Sequence, residues 1–357
     1  MKILLKILLG LLATFFVLLI LGIGFIWLKS PMTTPQFENA PNSIASIEKF
    51  ELNGEEQHVI LRGKDQANPV VLFLHGGPGS PEYPAFYAYN RELENDLTFA
   101  HWEQRGSGLS YHEDVDMSKV TLEQLVADGI SLSEQLIQRF GKQKIYLLGH
   151  SWGTMLGMHM IKERPDLFHA FFSVGQVSDQ KLGEQLSYEW VLSQAKDDRN
   201  KEAVEELSQI DPLMSVDDPK YMDYIMTERK WVDHYGGSFK RGSMFLDIVQ
   251  LLVMAPEYDL SSKINYMKAN LQALEALWPT VLSNNLFLTV SEVDAPVYIF
   301  QGRYDYQTPY PLARQYFDSL KAPKKAFYTF ENSAHGVMYE EPEKFNELIL
   351  KLVDPDH

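Results

Sequence analysis

Short apolar runs that end in glycine, alternating with segments of helical spacing, constrain this chain more than any other feature. Residues 70–75 form a continuous apolar run closed by glycines, and residues 97–102 form another. Further strands are expected over 144–148, 170–174, 297–301 and 326–330. Between them, Leu122, Leu125, Val126, Ile130, Leu132, Leu136 and Ile137 recur at helical spacing. Thr121 is placed to cap that helix and Gly141 to end it. Helices are also expected over 152–162, near 312–320 and over 342–353. Such alternation means a mostly parallel sheet with helices on both faces. Ahead of it, residues 47–53 and 57–61 flank Asn53-Gly54, a hairpin signal. The alternation stops over residues 178–292, which read as a helical cap inserted before the penultimate strand. Its most apolar piece, residues 244–255, is too short to cross a bilayer. It reads as a buried cap helix or as a pocket wall and substrate entry.

The 357 residues are 45% apolar and 22% charged, which excludes collagen, a coiled coil and a disordered tail. Net charge is −16, with 32 Lys and Arg against 48 Asp and Glu. Neutralising phosphates needs the opposite balance, so no nucleic-acid partner is expected. Cysteine is absent. That excludes disulfides, thiolate metal sites and a Cys nucleophile. Residues 7–28 carry no charge and would span about 33 Å as a helix, against about 30 Å of hydrocarbon core. The expectation is an uncleaved anchor over residues 1–29, contacting the membrane through 7–28. A cleaved signal peptide has a shorter apolar run and a better cleavage site than residues 27–31. The chain is thus expected at the cell membrane, single-pass, with its bulk extracellular. Residues 30–44 read as a spacer, 45–177 and 293–357 as the core, and 178–292 as the cap.

Gly149-His150-Ser151-Trp152-Gly153 lies between an apolar strand and an apolar helix. A G-x-S-x-G turn in that context is a nucleophile elbow, which lifts the Ser151 hydroxyl to the C-terminal edge of the sheet. His75-Gly76-Gly77-Pro78-Gly79 follows another strand. Glycines there let backbone N–H groups face an anionic tetrahedral intermediate, which needs two donors. Gly77 and Trp152 are expected to supply them, with Gly76 as the alternative to Gly77. A hydroxyl attacks only when a base takes its proton. His335 follows the last strand and Asp305 the strand before it, so both fall on the edge that carries Ser151. The order Ser151, Asp305, His335 is that of an α/β-hydrolase triad. His75 and His150 read as structural or pocket-lining. Residues 103–110 (EQRGSGLS) read as a structural loop beside the oxyanion turn.

Taken together, HGGPG at 75–79, WEQRGSGLS at 102–110, GHSWG at 149–153, GRYD at 302–305 and SAHG at 333–336 resemble the prolyl iminopeptidase group of α/β-hydrolases. The resemblance covers residues 45–353, strongly in the sheet and weakly in the cap. It implies a serine peptidase that removes N-terminal residues, typically proline, from peptides. Three departures stand out: Glu103 where the group usually has Asp, His150 where it has Gly, and Ser80 where a further Gly is frequent. The resemblance also implies that cap carboxylates bind the substrate's free amine. The cap offers Glu184, Glu189, Glu228, Asp233 and Glu257, of which Glu189 is the first choice and Glu228 the second. With Gly76 and His150, these two complete the expected substrate contacts.

The expected chemistry is acyl transfer to Ser151 from a peptide or small ester, with no metal or organic cofactor. An aminopeptidase heads the readings, a carboxylic-ester hydrolase or lipase follows, and a non-catalytic binding or sensing protein comes third.

Overall fold

In the computed structural model, residues 2–218, 220–241 and 245–353 are described; the side chains of residues 2–13, 19, 245 and 246 are not. Eight strands form one sheet: β1 (Ile44–Leu52), β2 (Glu55–Gly63), β3 (Val70–Leu74), β4 (Thr98–Trp102), β5 (Ile145–His150), β6 (Phe168–Val174), β7 (Val297–Gly302) and β8 (Lys325–Phe330). Their spatial order is β1-β2-β4-β3-β5-β6-β7-β8. The hairpin β1–β2 and the β2–β4 pair are antiparallel, and every later pair is parallel. The hairpin turn is Asn53-Gly54, both at positive φ, as a two-residue turn between twisted strands requires.

Alternate side chains of the parallel strands feed two separate cores. Leu72, Leu74, Ile145 and Leu147 pack on one face with Leu125, Leu132 and Met155 of the helices Leu122–Phe140 and Trp152–Glu163. Val71, Phe73, Tyr146 and Leu148 pack on the other with Phe86 and Phe345, from Tyr83–Asn90 and Pro342–Leu352. Burial on both faces is why these strands read as unbroken apolar runs. The Thr121 hydroxyl accepts from Gln124 N–H at 3.2 Å, and Gly141 closes that helix at φ 62°.

Between β6 and β7 the chain is helical: Gln180–Asp197, Lys201–Ser208, Tyr221–His234, Phe245–Met254, Leu260–Ser283 and Leu286–Thr289. Val191, Ala195, Ala203, Leu207, Trp231 and Val232 form a small core of their own. The long helix Leu260–Ser283 lies on the turn after β3. Asn270 Nδ2 donates to Ser80 Oγ at 2.6 Å and to Pro78 O at 3.2 Å, and the Tyr266 hydroxyl donates to Pro81 O at 2.6 Å.

The N-terminal expectation is corrected here. Among the described residues, no helix is long and apolar enough to cross a membrane. A helix does run over Lys2–Leu28, but its described side chains begin at Thr14. The part of the expectation that falls on the side chains of residues 2–13 lies outside the described ones. The single-pass anchor through 7–28, the membrane contact and the cell-membrane placement are therefore withdrawn. The segment read as a spacer is also tied to the domain. Thr33 N–H donates to Pro256 O at 3.2 Å. The Arg62 guanidinium, paired with buried Glu94 at 2.9 Å, donates to Thr34 Oγ1 at 2.5 Å and Pro35 O at 2.7 Å.

Candidate active site

β5 ends in the G-x-S-x-G turn, and the helix Trp152–Glu163 begins one residue after Ser151. Ser151 sits at φ 52°, ψ −120°, a backbone region that costs a non-glycine residue on the order of 1–3 kcal/mol. Its surroundings hold it there: Ser151 N–H donates to Val174 O at 2.9 Å, and Thr154 donates to Ser151 O from both its N–H, at 2.7 Å, and its hydroxyl, at 2.6 Å. The small residues at either end are steric necessities. A Cβ on Gly149 would overlap the Gly153 carbonyl, and one on Gly153 would overlap Leu74 O.

His335 lies in the loop after β8, and its N–H donates to Ser238 O at 2.9 Å. Its Nδ1 donates to Asp305 Oδ2 at 2.9 Å. Asp305 is fully buried. Its Oδ2 also accepts from Gln301 Nε2 at 2.7 Å and Thr308 Oγ1 at 2.9 Å, and its Oδ1 from the N–H groups of Gln307 and Thr308, both at 2.9 Å. The other ring nitrogen, His335 Nε2, is buried without a hydrogen-bond partner among the described residues. Gly175, at φ 63° after β6, leaves the room the ring needs; a Cβ there would stand 2.8 Å from its Cε1. Ser151 and His335 line one cavity of about 300 Å³, together with Gly76, Gly77, Glu82 and His150. A second cavity of about 410 Å³ is lined by Gly77, Ser151 and Trp152 and extends to Arg229 and Trp278.

The two glycines of the turn after β3 differ. Gly76 N–H donates to Glu82 Oε2 at 3.0 Å, so it is engaged. Gly77 follows at φ 110° and lines both cavities. Trp152 opens its helix, and the N–H of a first helical residue has no carbonyl within the helix to meet.

The expected amine acids are scattered. Glu189 is exposed on the helix Gln180–Asp197. Glu257 is buried and accepts from the Tyr83 hydroxyl at 2.7 Å. Glu184 and Glu228, both buried, share Arg229: Glu184 pairs with its Nη2 at 2.5 Å, and Glu228 with its Nη1 and with the Ser187 hydroxyl. Burial pushes the Glu228 carboxyl up, and Arg229 pulls against it. None of the five cap acids lines either cavity; Arg229 does.

Sequence reasoning missed Glu82. His150 Nδ1 lies 2.6 Å from its Oε1. One signal was available: Glu82 is the only acid between His75 and Arg91, directly after the glycine turn that follows β3.

The loop of residues 103–110 is structural. Glu103 is buried, accepts from Leu109 N–H at 3.1 Å and from the cap's Tyr258 hydroxyl at 2.7 Å, and is pushed up to about 7 by burial. Arg105 is tied to buried Asp128 at 2.8 Å and to Leu52 O at 3.0 Å.

Comparison with known proteins agrees with this fold. The family model described as the alpha/beta hydrolase fold matches residues 69–342. A probable aminopeptidase of Bacillus subtilis is 31% identical over 85% of this chain and 94% of its own length. A proline iminopeptidase of Heyndrickxia coagulans is 22% identical over 89% of this chain and 98% of its own. Among solved structures, a proline iminopeptidase of Mycobacterium smegmatis superposes with a TM-score of 0.61 at 18% identity, covering 86% of this chain and 97% of that one. With a family match over most of its length and the mostly parallel sheet the family requires, the chain belongs to the α/β-hydrolases, as one of their serine hydrolases.

Proposed function

We propose that the chain is an aminopeptidase of proline iminopeptidase type that works through an acyl-enzyme on Ser151. The observation that carries the reading is the shared cavity of Ser151 and His335, with Asp305 bonded to the far side of the imidazole. Asp305 orients the ring and stabilises the imidazolium that forms. His335 Nε2 takes the Ser151 proton as Oγ attacks the substrate carbonyl. The N–H groups of Gly77 and Trp152 hold the resulting oxyanion. The C–N bond breaks as His335 returns the proton to the leaving amine. A water then gives its proton to His335 and attacks the ester, and the product acid leaves as Ser151 regains a proton.

The peptidase reading draws support from the two relatives named for aminopeptidase and proline iminopeptidase activity, and from the cap. Two carboxylates share one guanidinium beside the second cavity, leaving a formal charge of about −1 when all three are ionised. Glu184 Oε2 is buried without a hydrogen-bond partner among the described residues. Neither carboxylate lines the cavity, so a substrate ammonium there meets the cluster's net negative charge from behind Arg229 rather than by direct contact.

A second reading, carboxylic-ester hydrolysis, is favoured by the apolar wall of the first cavity: Phe239, Ile248, Leu252 and Met267. Aminoacyl chromogenic amides, each paired with its N-acetylated form, separate the two. The peptidase reading expects turnover of the free-amine substrates, about 100-fold or greater loss on acetylation, and none with Ser151→Ala. Equal turnover of acetylated amides or of plain acyl esters would favour the esterase. Folded enzyme that gives no fluorophosphonate adduct on Ser151 would sink both.

A further inference from the structure

We propose that Glu82 and a doubly protonated His150 form a positioning tie that holds the oxyanion turn, the nucleophile elbow and the loop of His335 in register. The proposal rests on the reading of Ser151 as nucleophile and Gly77 N–H as oxyanion donor.

Glu82 precedes the helix Tyr83–Asn90 but makes no side-chain cap bond to it. Its side chain turns back into the cavity instead. There Oε2 accepts Gly76 N–H at 3.0 Å and Oε1 meets His150 Nδ1 at 2.6 Å. His150 Nε2 in turn lies 3.2 Å from the His335 carbonyl oxygen. One carboxylate and one side chain thus join three loops distant in sequence. A carboxylate and a peptide carbonyl are both acceptors, whereas a neutral imidazole carries a single N–H. Only the imidazolium donates to both at once. Burial of the ring opposes the charge, but Glu82 and the His335 carbonyl outweigh it, so His150 titrates above its ordinary value. Burial pushes Glu82 up, and the charge and hydrogen bond of His150 with Gly76 N–H bring it below the usual carboxylate range.

The tie bears on the direction of Gly77 N–H. In a trans peptide the N–H points opposite to the C=O. The Gly76 carbonyl of that peptide accepts from His75 Nδ1 at 2.9 Å and from Ser80 N–H at 3.1 Å. The preceding N–H is held by Glu82. Both flanks of the donor are therefore anchored, one of them through a charge pair that also grips the residue before Ser151. His75 itself is pushed down to about 4 by burial and stays neutral, accepting Gln104 N–H on Nε2 at 3.3 Å.

The ionisable groups around the pair are few. The His335 ring lies 4.9 Å from the His150 ring and Tyr339 6.1 Å from it. Asp305 stands behind His335, and His75 and Tyr266 face Glu82. Glu82 is the carboxylate bonded to the His150 ring, so removing its charge lowers the pH at which the ring loses its proton.

The test uses the full chain and two readouts. In the wild type at pH 7, nitrogen NMR of the histidine rings, assigned with His150→Gln, is expected to show both His150 nitrogens protonated. In Glu82→Gln, kcat is expected to fall about 10–100-fold, the scale of a small misplacement in an active site, with KM within about 3-fold. The alkaline limb of kcat/KM is expected to move to lower pH. A neutral His150 at pH 7, an unchanged kcat, or a rise in KM alone would overturn the tie; the last would make Glu82 a substrate contact. The wild-type spectrum needs no substrate. It decides the charge state even where Glu82→Gln does not fold, and apart from any failure of Ser151 to acylate.

Discussion

Every oxygen of Asp305 is committed: Gln301, Gln307, Thr308 and His335 all donate to it in a fully buried site. That saturation holds the His335 ring with Nδ1 as donor and leaves Nε2 for the base role proposed above. Asp305→Asn replaces an acceptor by an amide donor and reverses that tautomer. We expect kcat to fall about 10³–10⁴-fold with KM little changed, measured on whichever substrate the amide panel selects; a loss below 10-fold would contradict the assigned role. The placement of Ser151, Asp305 and His335 on one sheet edge was legible in the sequence because each sits within a few residues of a strand end, where an apolar run gives way to a turn. Glu82 was not, because its partner His150 is 68 positions away and only the fold brings them together. The three departures from the family pattern each make a side-chain contact. Ser80 bonds Asn270, Glu103 bonds Tyr258 and His150 bonds Glu82.

At the scale of elements, the helix Leu260–Ser283 and the turn after β3 behave as one unit. Asn270 and Tyr266 bond the turn, and Gly79, at φ 80°, lets the helix approach so closely that a Cβ would overlap that of Ala273. Gly141 is also at positive φ, 62°, but with open space around it. The contrast makes a paired prediction. Gly141→Ala should cost about 1 kcal/mol of stability and leave kcat/KM unchanged. Gly79→Ala should cost more and also lower kcat/KM, because relief of the overlap displaces the oxyanion turn or the cap. Thermal unfolding and steady-state kinetics on both variants check it, and full activity in Gly79→Ala would show that turn and helix move independently. The stretch 244–255 belongs to this scale as well. Met244 lies outside the described residues, but Ile248 and Leu252 line the cavity beside Ser151, so its apolar character serves the pocket wall.

For the whole molecule, the excess of acid over base hides a carboxyl that opposes stability at high pH. Burial raises Glu103 to about 7, whereas an unfolded Glu titrates near 4.3. The folded chain binds that proton more tightly. Its stabilising contribution is therefore full below about pH 4.3 and is lost as pH rises through about 7. Glu103→Gln keeps the shape and removes the titration. The stability of wild type relative to this variant should fall by on the order of 3 kcal/mol between pH 4 and pH 8, read from denaturant unfolding at both; a constant difference would refute it. The same chain shows where local reading stops. Periodicity and turn residues are short-range properties, so strand order along the chain, the two-faced sheet, the elbow and the three residues of the proposed triad follow from the sequence. Charge pairing and close approach depend on distances through space. Only the tertiary structure decided that Glu189 faces solvent, that Glu184 and Glu228 share Arg229, that Glu82 reaches His150 and Glu103 reaches Tyr258 across 155 positions, and that residues 30–43 lie along the domain. Hydropathy alone suggested a membrane anchor, which the described helices do not support.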